Sequence, residues 1–412
     1  AEAGSAGENP WDFVHLSHQE DIRQRVEDRS SVSLQGRYGG KGSGLIYISY
    51  LGIPTRDGFI IPTALSRQNL QTLEQARFES EVMRHVGILQ DDIARSEGTE
   101  VRLGEPKAPL LLAVRGGSVF SMPGMLATMV FVGITDAVAE ALAVDDDWYA
   151  WDAYRRFLVS FAAAVWGFDL EALDLVEKTK RRYGVTLKTD LPGSAMREVV
   201  EASKQALRNA GHAQELDVLA NDAELQLHTA LRAVHNSWNL ERARQYRKIK
   251  HLSEGWHTAA IVQQMASGNR TNRQELKPGI DEMQVSLTGV IPNTRVVQST
   301  GFREFTGDVK FSACGDDLVG GITAAKSFEP VQRLRSLAPM LERKLNHVSA
   351  RLRRFLGSDA EIEFTVDRGV LSVLQARSAQ MELYESPRTF RDAGRAAGRG
   401  IGISGGAFRG RS

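Results

Sequence analysis

Residues 361–377 read EIEFTVDRGVLSVLQAR, two apolar–polar runs on either side of Asp367-Arg368-Gly369. A period of two puts Ile362 and Phe364 on one face of a strand and Glu361 and Glu363 on the other, and the turn residues close the pair into a hairpin. A hairpin with one apolar face must be covered, so the chain has to supply more strands or a helix. Strand-like texture in Ile261–Met265, Val285–Val290 and Phe305–Phe311 answers the first need. A stripe of Leu334, Leu337, Leu341 and Leu345, with Arg343, Lys344, Arg351, Arg353 and Arg354 outside it, answers the second.

Between Asp136 and His251 the texture changes to helical spacing, as in Trp151, Tyr154, Phe157, Leu158 and Phe161, and proline is nearly absent. The fold class is therefore α+β with a largely helical insertion. At 412 residues the chain is long enough for two or three subdomains and more than one core. No repeat of solenoid period is visible.

Lys plus Arg equals Asp plus Glu at 51 each, so no global charge favours nucleic acid or a membrane surface. A single cysteine, Cys314, and the lack of a secretory leader fit a reducing cytoplasm. Apolar runs such as Leu110–Val114 and Ala162–Trp166 are too short to span a bilayer. Ala1–Pro10 reads as a disordered leader, and Arg388–Ser412 as a linker or the first strand of a further domain.

Four clusters carry candidate chemistry. In Gly39–Gly42 the glycines let backbone N–H groups approach a phosphate while Lys41 supplies a mobile charge; alone, the segment is equally an ordinary glycine-rich turn. Arg115 ends the buried run Pro109–Val114 before two glycines, placed to offer a planar fork to phosphoryl oxygens or to form a structural ion pair. Ser118–Met125 is a small-residue and thioether loop able to close over a ligand or simply to pack as a turn. The TG and CGDDLVGG segments near Thr288 and Cys314 complete the glycine-rich set. In the hairpin, Glu361 and Glu363 share a face, as do Gln375 and Arg377, so two acids, an amide and a guanidinium can line one pocket. Two adjacent carboxylates call for a cation; Mg²⁺ fits oxygen donors, whereas Zn²⁺ would need His or Cys clusters, which the spacing of the nine histidines does not provide. No histidine reads as catalytic.

Taken in order, these clusters resemble the nucleotide-binding region of the pyruvate phosphate dikinase family. The family pattern GGKGANL resembles Gly39–Leu45, followed by Gly52-Ile53-Pro54 and Gly58-Phe59; VRSGARASMPGMMDT resembles Val114–Thr128; YRRF resembles Tyr154–Phe157. A long SW…RA..YR…W.TA..VQ.M..GN stretch resembles Ser237–Asn269, and D.EFTIE.G.LY.LQTR resembles Glu361–Arg377. Residues 289–308, GVIPNTRVVQSTGFREFTGD, and Gly116-Gly117-Ser118-Val119-Phe120 depart from the family pattern. The ending GIGISGGAFRG loosely resembles the opening of the family's phosphohistidine domain.

The resemblance implies an ATP-grasp-like two-lobe module: a leader at 1–35, an N-terminal lobe at 36–135, the helical subdomain at 136–250, a C-terminal lobe at 251–385, and a linker or further domain from 386 to 412. It implies ATP and Mg²⁺ as ligands, with transfer of a phosphoryl or pyrophosphoryl group to a phosphohistidine domain in cis or trans and AMP as product. Lys41 and Arg115 would hold phosphates beside Gly40 and Gly42. Glu361 and Glu363, with Gln375, would position Mg²⁺; Gln375 and Arg377 would complete the phosphate site; Gln263 and Met265 would lie on the adenine side. Two rivals share these residues: an ATP module serving another acceptor, such as an antibiotic, and a nucleotide-binding scaffold without turnover.

Overall fold

The computed structural model of the chain describes residues 9–28, 33–67, 72–270, 281–296, 303–315 and 329–378. Residues 1–8 of the expected leader, 316–321 of the CGDDLVGG segment and the tail 388–412 lie outside these. Strands β1 (Val14–His15), β2 (Gly58–Ile61), β3 (Arg102–Leu103), β4 (Pro109–Leu110), β5 (Leu112–Ser118), β6 (Thr128–Val132), β7 (Thr258–Gln264), β8 (Leu287–Val296), β9 (Arg303–Phe311), β10 (Glu329–Pro330), β11 (Ala360–Asp367) and β12 (Val370–Ser378) follow in chain order. They form two five-stranded antiparallel sheets, β1-β2-β7-β5-β6 and β10-β9-β8-β11-β12, and a short parallel pair, β3-β4.

The first sheet is buried on both faces, which explains why its strands read as continuous apolar runs. Phe59, Ile61, Val114 and Val262 face a core shared with the helices Thr72–Glu97, Asp147–Phe161 and Ala223–Ser237. Their neighbours Ile60, Ala259 and Ile261 face the opposite core, shared with the second sheet and with Leu341, Leu345, Val348 and Leu352 of the helix Pro339–Leu356. Among the described residues no helix is long and apolar enough to cross a membrane.

Residues 1–35 were expected as a leader, yet within them Val14–His15 forms an edge strand of the first sheet and Gln19–Glu27 a helix. Val14 and His15 pair with Ile60 and Phe59, and Asp12 accepts hydrogen bonds from Arg25, Arg37 and Tyr38. The glycine-rich segment Gly39–Gly42, which alone reads as a turn, lies within a helix: Leu34–Tyr50 forms one helix broken only at Gly39, whose φ of 68° and ψ of 171° reverse the backbone for a single residue. The glycines do not unravel the helix because Leu45, Ile46 and Ile48 beyond them are buried in the second core.

The β11–β12 hairpin turns through Arg368 and Gly369, both at positive φ (47° and 76°), the conformation of the tight turns that match strand twist. Its register shifts once: Val366 pairs with Leu371 and Phe364 with Val373, but Glu363 pairs with Gln375 and Glu361 with Arg377, leaving Leu374 as a bulge. The extra residue reverses the face of everything after it. Leu371 and Val373 point to the core, whereas Gln375 and Arg377, of the same parity, stand with the two glutamates.

Several contacts tie the hairpin to the first sheet's side of the molecule. Val373 N–H donates to Pro54 O at 2.8 Å, Thr55 Oγ1 donates to Val373 O at 2.8 Å, and Arg270 pairs with Asp367 at 3.0 Å. In the helical region, fully buried Asp152 accepts from Arg155, Arg156, Lys188 and Asn269, and this concentration of cations holds its carboxyl well below the ordinary carboxylate range. Removing it strands several charges in the interior. Asp152→Ala is expected to cost about 3–5 kcal/mol, measured by urea unfolding; a loss below about 1 kcal/mol would contradict this reading of the network.

Candidate functional site

Gly39 sets the geometry. A Cβ there would collide with the Gly117 carbonyl, and its left-handed φ is unfavourable for any other residue. Two glycine-rich segments, 78 positions apart by number, thus meet backbone to backbone at the end of β5. Gly117 N–H donates to Thr258 Oγ1 at 3.1 Å, fixing the meeting point on β7, and Gln35 Nε2 donates to Val119 O at 2.8 Å, fixing the loop beyond. A Cβ on Gly117 would stand 3.2 Å from Lys41 Cβ. Lys41 therefore begins the straight part of its helix directly against the strand that carries Arg115.

Of the flanking glycines, Gly40 borders the cleft, where an added Cβ would lie 3.3 Å from Val119 O. Gly42 turns inward, with its Cβ position 3.1 Å from Ile60 Cγ2, so its smallness serves helix–sheet packing.

Val114 faces the first core, which sends Arg115 off the other face of the sheet toward the hairpin. Its Nη2 donates to Gln263 Oε1 and its Nη1 reaches Leu374 O at 3.5 Å, while buried Nε has no partner. Gln263 is itself pinned, its Nε2 donating to Thr55 Oγ1 at 3.1 Å and Arg56 O at 2.9 Å. It acts as a bracket behind Arg115. Met265, one residue beyond β7, donates its N–H to Leu111 O at 2.8 Å and packs against the first core.

From the hairpin, Arg377 pairs with Glu361 at 2.9 Å and donates to Ser121 Oγ at 3.3 Å, bridging to the thioether loop. Glu363 stands opposite Gln375 and acts electrostatically on both Lys41 and Arg115. Burial pushes the Lys41 ammonium below its ordinary pKa, the Arg115 and Arg377 charges push the same way, and Glu363 opposes them. Burial likewise lowers Arg115, again against Glu363. The structure thus gathers Lys41, Arg115, Glu361, Glu363, Gln375 and Arg377, with Gln263 behind. Three cations face two carboxylates, and the excess positive charge, with a spare guanidinium N–H, suits a polyanion.

The loop Ser118–Met125 is anchored from the far side. Met122, Trp238 and Ala243 form a small core lined by Met125, Tyr246 and Trp256, and Ala127 N–H donates to Ser237 Oγ at 3.1 Å. Fully buried Arg247 supports it, stacked 3.9 Å over the Trp238 ring and bonded to Trp238 O at 2.7 Å. The long motif Ser237–Trp256 is thus the foundation of this loop. Gln35, which holds the loop beyond the site's backbone, carried no sequence signal, and Thr258 stood in the W.TA motif without its role being readable, since both roles arise only where remote segments meet.

One expectation is corrected. The histidine spacing gave no metal-type cluster, but folding brings His15, His18, His85 and Asp92 together, with ligand atoms of His15, His18 and Asp92 all within 4.8 Å of one another. The strand pairing of β1 and the long helix Thr72–Glu97 bridge a separation that spacing cannot reveal.

Comparison with known proteins places most of the chain in one family. Residues 65–335 match the family described as pyruvate phosphate dikinase, AMP/ATP-binding domain. The chain is 34% identical over 367 residues to pyruvate, phosphate dikinase of Rhizobium meliloti, covering 85% of this chain and 38% of that protein. It is 32% identical over 346 residues to the chloroplastic pyruvate, phosphate dikinase of Mesembryanthemum crystallinum (83% and 34% covered), and 27% identical over 361 residues to the pyruvate, phosphate dikinase of Clostridium symbiosum (86% and 38%). The chain therefore spans between a third and two fifths of the length of these curated relatives.

An anion bound at Lys41 restores its proton affinity, so binding takes up a proton at pH values between the lowered pKa of the free site and the higher one of the complex. Affinity for a nucleotide should be greatest below the free-site pKa and fall as pH rises through that window. Calorimetry in two buffers of different ionisation enthalpy measures this uptake; Lys41→Met should abolish it, and uptake unchanged in that variant would exclude Lys41 as its source.

Proposed function

Because the chain belongs to the pyruvate phosphate dikinase AMP/ATP-binding domain family, we propose that it binds Mg-ATP between its two sheets, as the ATP-grasp-like module of a dikinase-type phosphotransferase. The lobes are residues 36–135 and 251–385, with 136–250 as the helical subdomain. In the working enzyme the module passes a phosphoryl or pyrophosphoryl group to a histidine on a swivelling domain, in cis or in trans, and AMP leaves as product. The observation that carries this reading is the meeting of Lys41, Arg115 and Arg377 around Glu361 and Glu363, with Arg115 Nε unpartnered.

In this reading Lys41 and Arg115 grip the phosphates and the group in transit. The carboxylates of Glu361 and Glu363, with the Gln375 amide oxygen, form an all-oxygen donor set that fits Mg²⁺. When bound with the nucleotide, Mg²⁺ neutralises phosphate charge. Arg377, held by Glu361 and touching Ser121, links phosphate binding to the thioether loop. Phosphoryl transfer asks the protein chiefly for alignment and charge neutralisation, and residues fixed on β5, β11, β12 and one helix supply both. The backbone N–H groups beside Gly40 add donors that no substitution of a side chain removes.

Calorimetric titration with Mg-ATP tests the proposal. Saturable binding is expected, and Arg115→Ala should weaken it roughly 10- to 100-fold, the worth of a hydrogen bond to a charged group. Glu361→Gln/Glu363→Gln should remove the Mg²⁺ dependence of binding. Failure of the parent chain to bind Mg-ATP would overturn the reading.

A further inference from the structure

Outside the cleft, at the β1 edge of the first sheet, four residues from two distant segments converge. His15 Nδ1 lies 3.7 Å and His18 Nε2 3.2 Å from Asp92 Oδ2. For an ion about 2.0–2.2 Å from each of its donors in tetrahedral geometry, ligand atoms stand roughly 3.3–3.5 Å apart, close to these separations. His15 is 3% exposed, and its Nδ1 is a buried polar atom with no hydrogen-bond partner, aimed at the same carboxylate.

We propose that His15 Nδ1, His18 Nε2 and Asp92 Oδ2 form a binding site for a zinc-class divalent ion, with water in the fourth position. The donor set of two imidazoles and one carboxylate is that of zinc sites with three protein ligands. Water reaches the fourth position past His18, whose side chain is 42% exposed. Outer contacts hold the ligands: His15 Nε2 is 2.7 Å from His85 Nδ1, Ser17 Oγ donates to Asp92 Oδ2 at 2.5 Å, and Arg95 grips Asp92 Oδ1. Burial, followed by the neighbouring His85 and His18 charges, holds His15 down at about 3, and burial with Arg84 holds His85 at about 4.

The hydrogen bonds also define what binding changes. Arg84 Nη2 lies 2.8 Å from His85 Nε2 and can only donate, so His85 carries its proton on Nδ1 and His15 carries its own on Nδ1. Metal on His15 Nδ1 requires both rings to move that proton to Nε2: His15 then donates to His85 Nδ1, and His85 Nε2–H displaces Arg84. The proton count of the two rings is unchanged. Arg84 is 56% exposed and already pairs with Glu81 at 2.9 Å, so it has somewhere to go.

The test is titration of the full chain with Zn²⁺, and with Co²⁺ as a spectroscopic probe, in excess Mg²⁺. A single equivalent should bind, giving the visible absorption of low-coordinate Co²⁺ and displaced by Zn²⁺. His18→Gln, at an exposed position where folding is not at stake, should weaken binding by roughly 100-fold or more, beyond the usual effect of losing an outer-shell partner. Arg84→Gln should bind at least as tightly as the parent. No stoichiometric binding, equal affinity in His18→Gln, or tenfold weaker binding in Arg84→Gln would each overturn the assignment. Mg-ATP binding is read separately, so either proposal can fail alone.

Discussion

The close approach of Gly39 to the Gly117 carbonyl governs the rest of the cleft. Because no side chain fits between them, the helix that starts at Gly40 presses directly on the end of β5. Lys41 and Arg115 become neighbours as a matter of backbone placement, before any side-chain preference is expressed. Thr258 and Gln35 then fix the strand end and the loop, and Gln263 fixes the guanidinium. A site built on packed helix and strand, with its polar groups held from behind, keeps its geometry far better than one carried by loops alone.

That placement is costly in the absence of a ligand. Cations drawn out of water lose hydration, and Glu363 only partly compensates, which is why Lys41 and Arg115 are both shifted toward their neutral forms. Such a site carries unspent electrostatic attraction that an anion can satisfy without reorganising the protein. The Glu361–Arg377 pair and its contact to Ser121 join the second sheet to the loop that rests on Trp238 and Arg247.

The sequence made much of this legible, for physical reasons that differ by region. The hairpin was readable because alternation and a turn with glycine at positive φ leave a local imprint, and the helical stretch because its apolar stripe follows the helical period. The Leu374 bulge was not, since one inserted residue changes the face of Gln375 and Arg377 without changing composition. The Gly-rich segment misled in the opposite sense: glycines that resemble a loop are accommodated in a helix whose far end is buried. Gln263 serves Arg115 through a register known only once β5 and β7 are paired. The histidine cluster escaped for the same reason, being the product of topology across more than seventy positions.

The central claim is that Lys41 faces the phosphates of a bound nucleotide, and protection from acylation tests it most directly. A lysine whose ammonium is depressed by burial and by Arg115 holds more of its neutral, acylation-prone form than an exposed lysine at the same pH, and mass spectrometry locates the adduct. Saturating Mg-ATP is expected to suppress labelling at Lys41 while leaving the exposed Lys178 and Lys248 unchanged. Labelling of Lys41 that is indifferent to Mg-ATP would contradict the account.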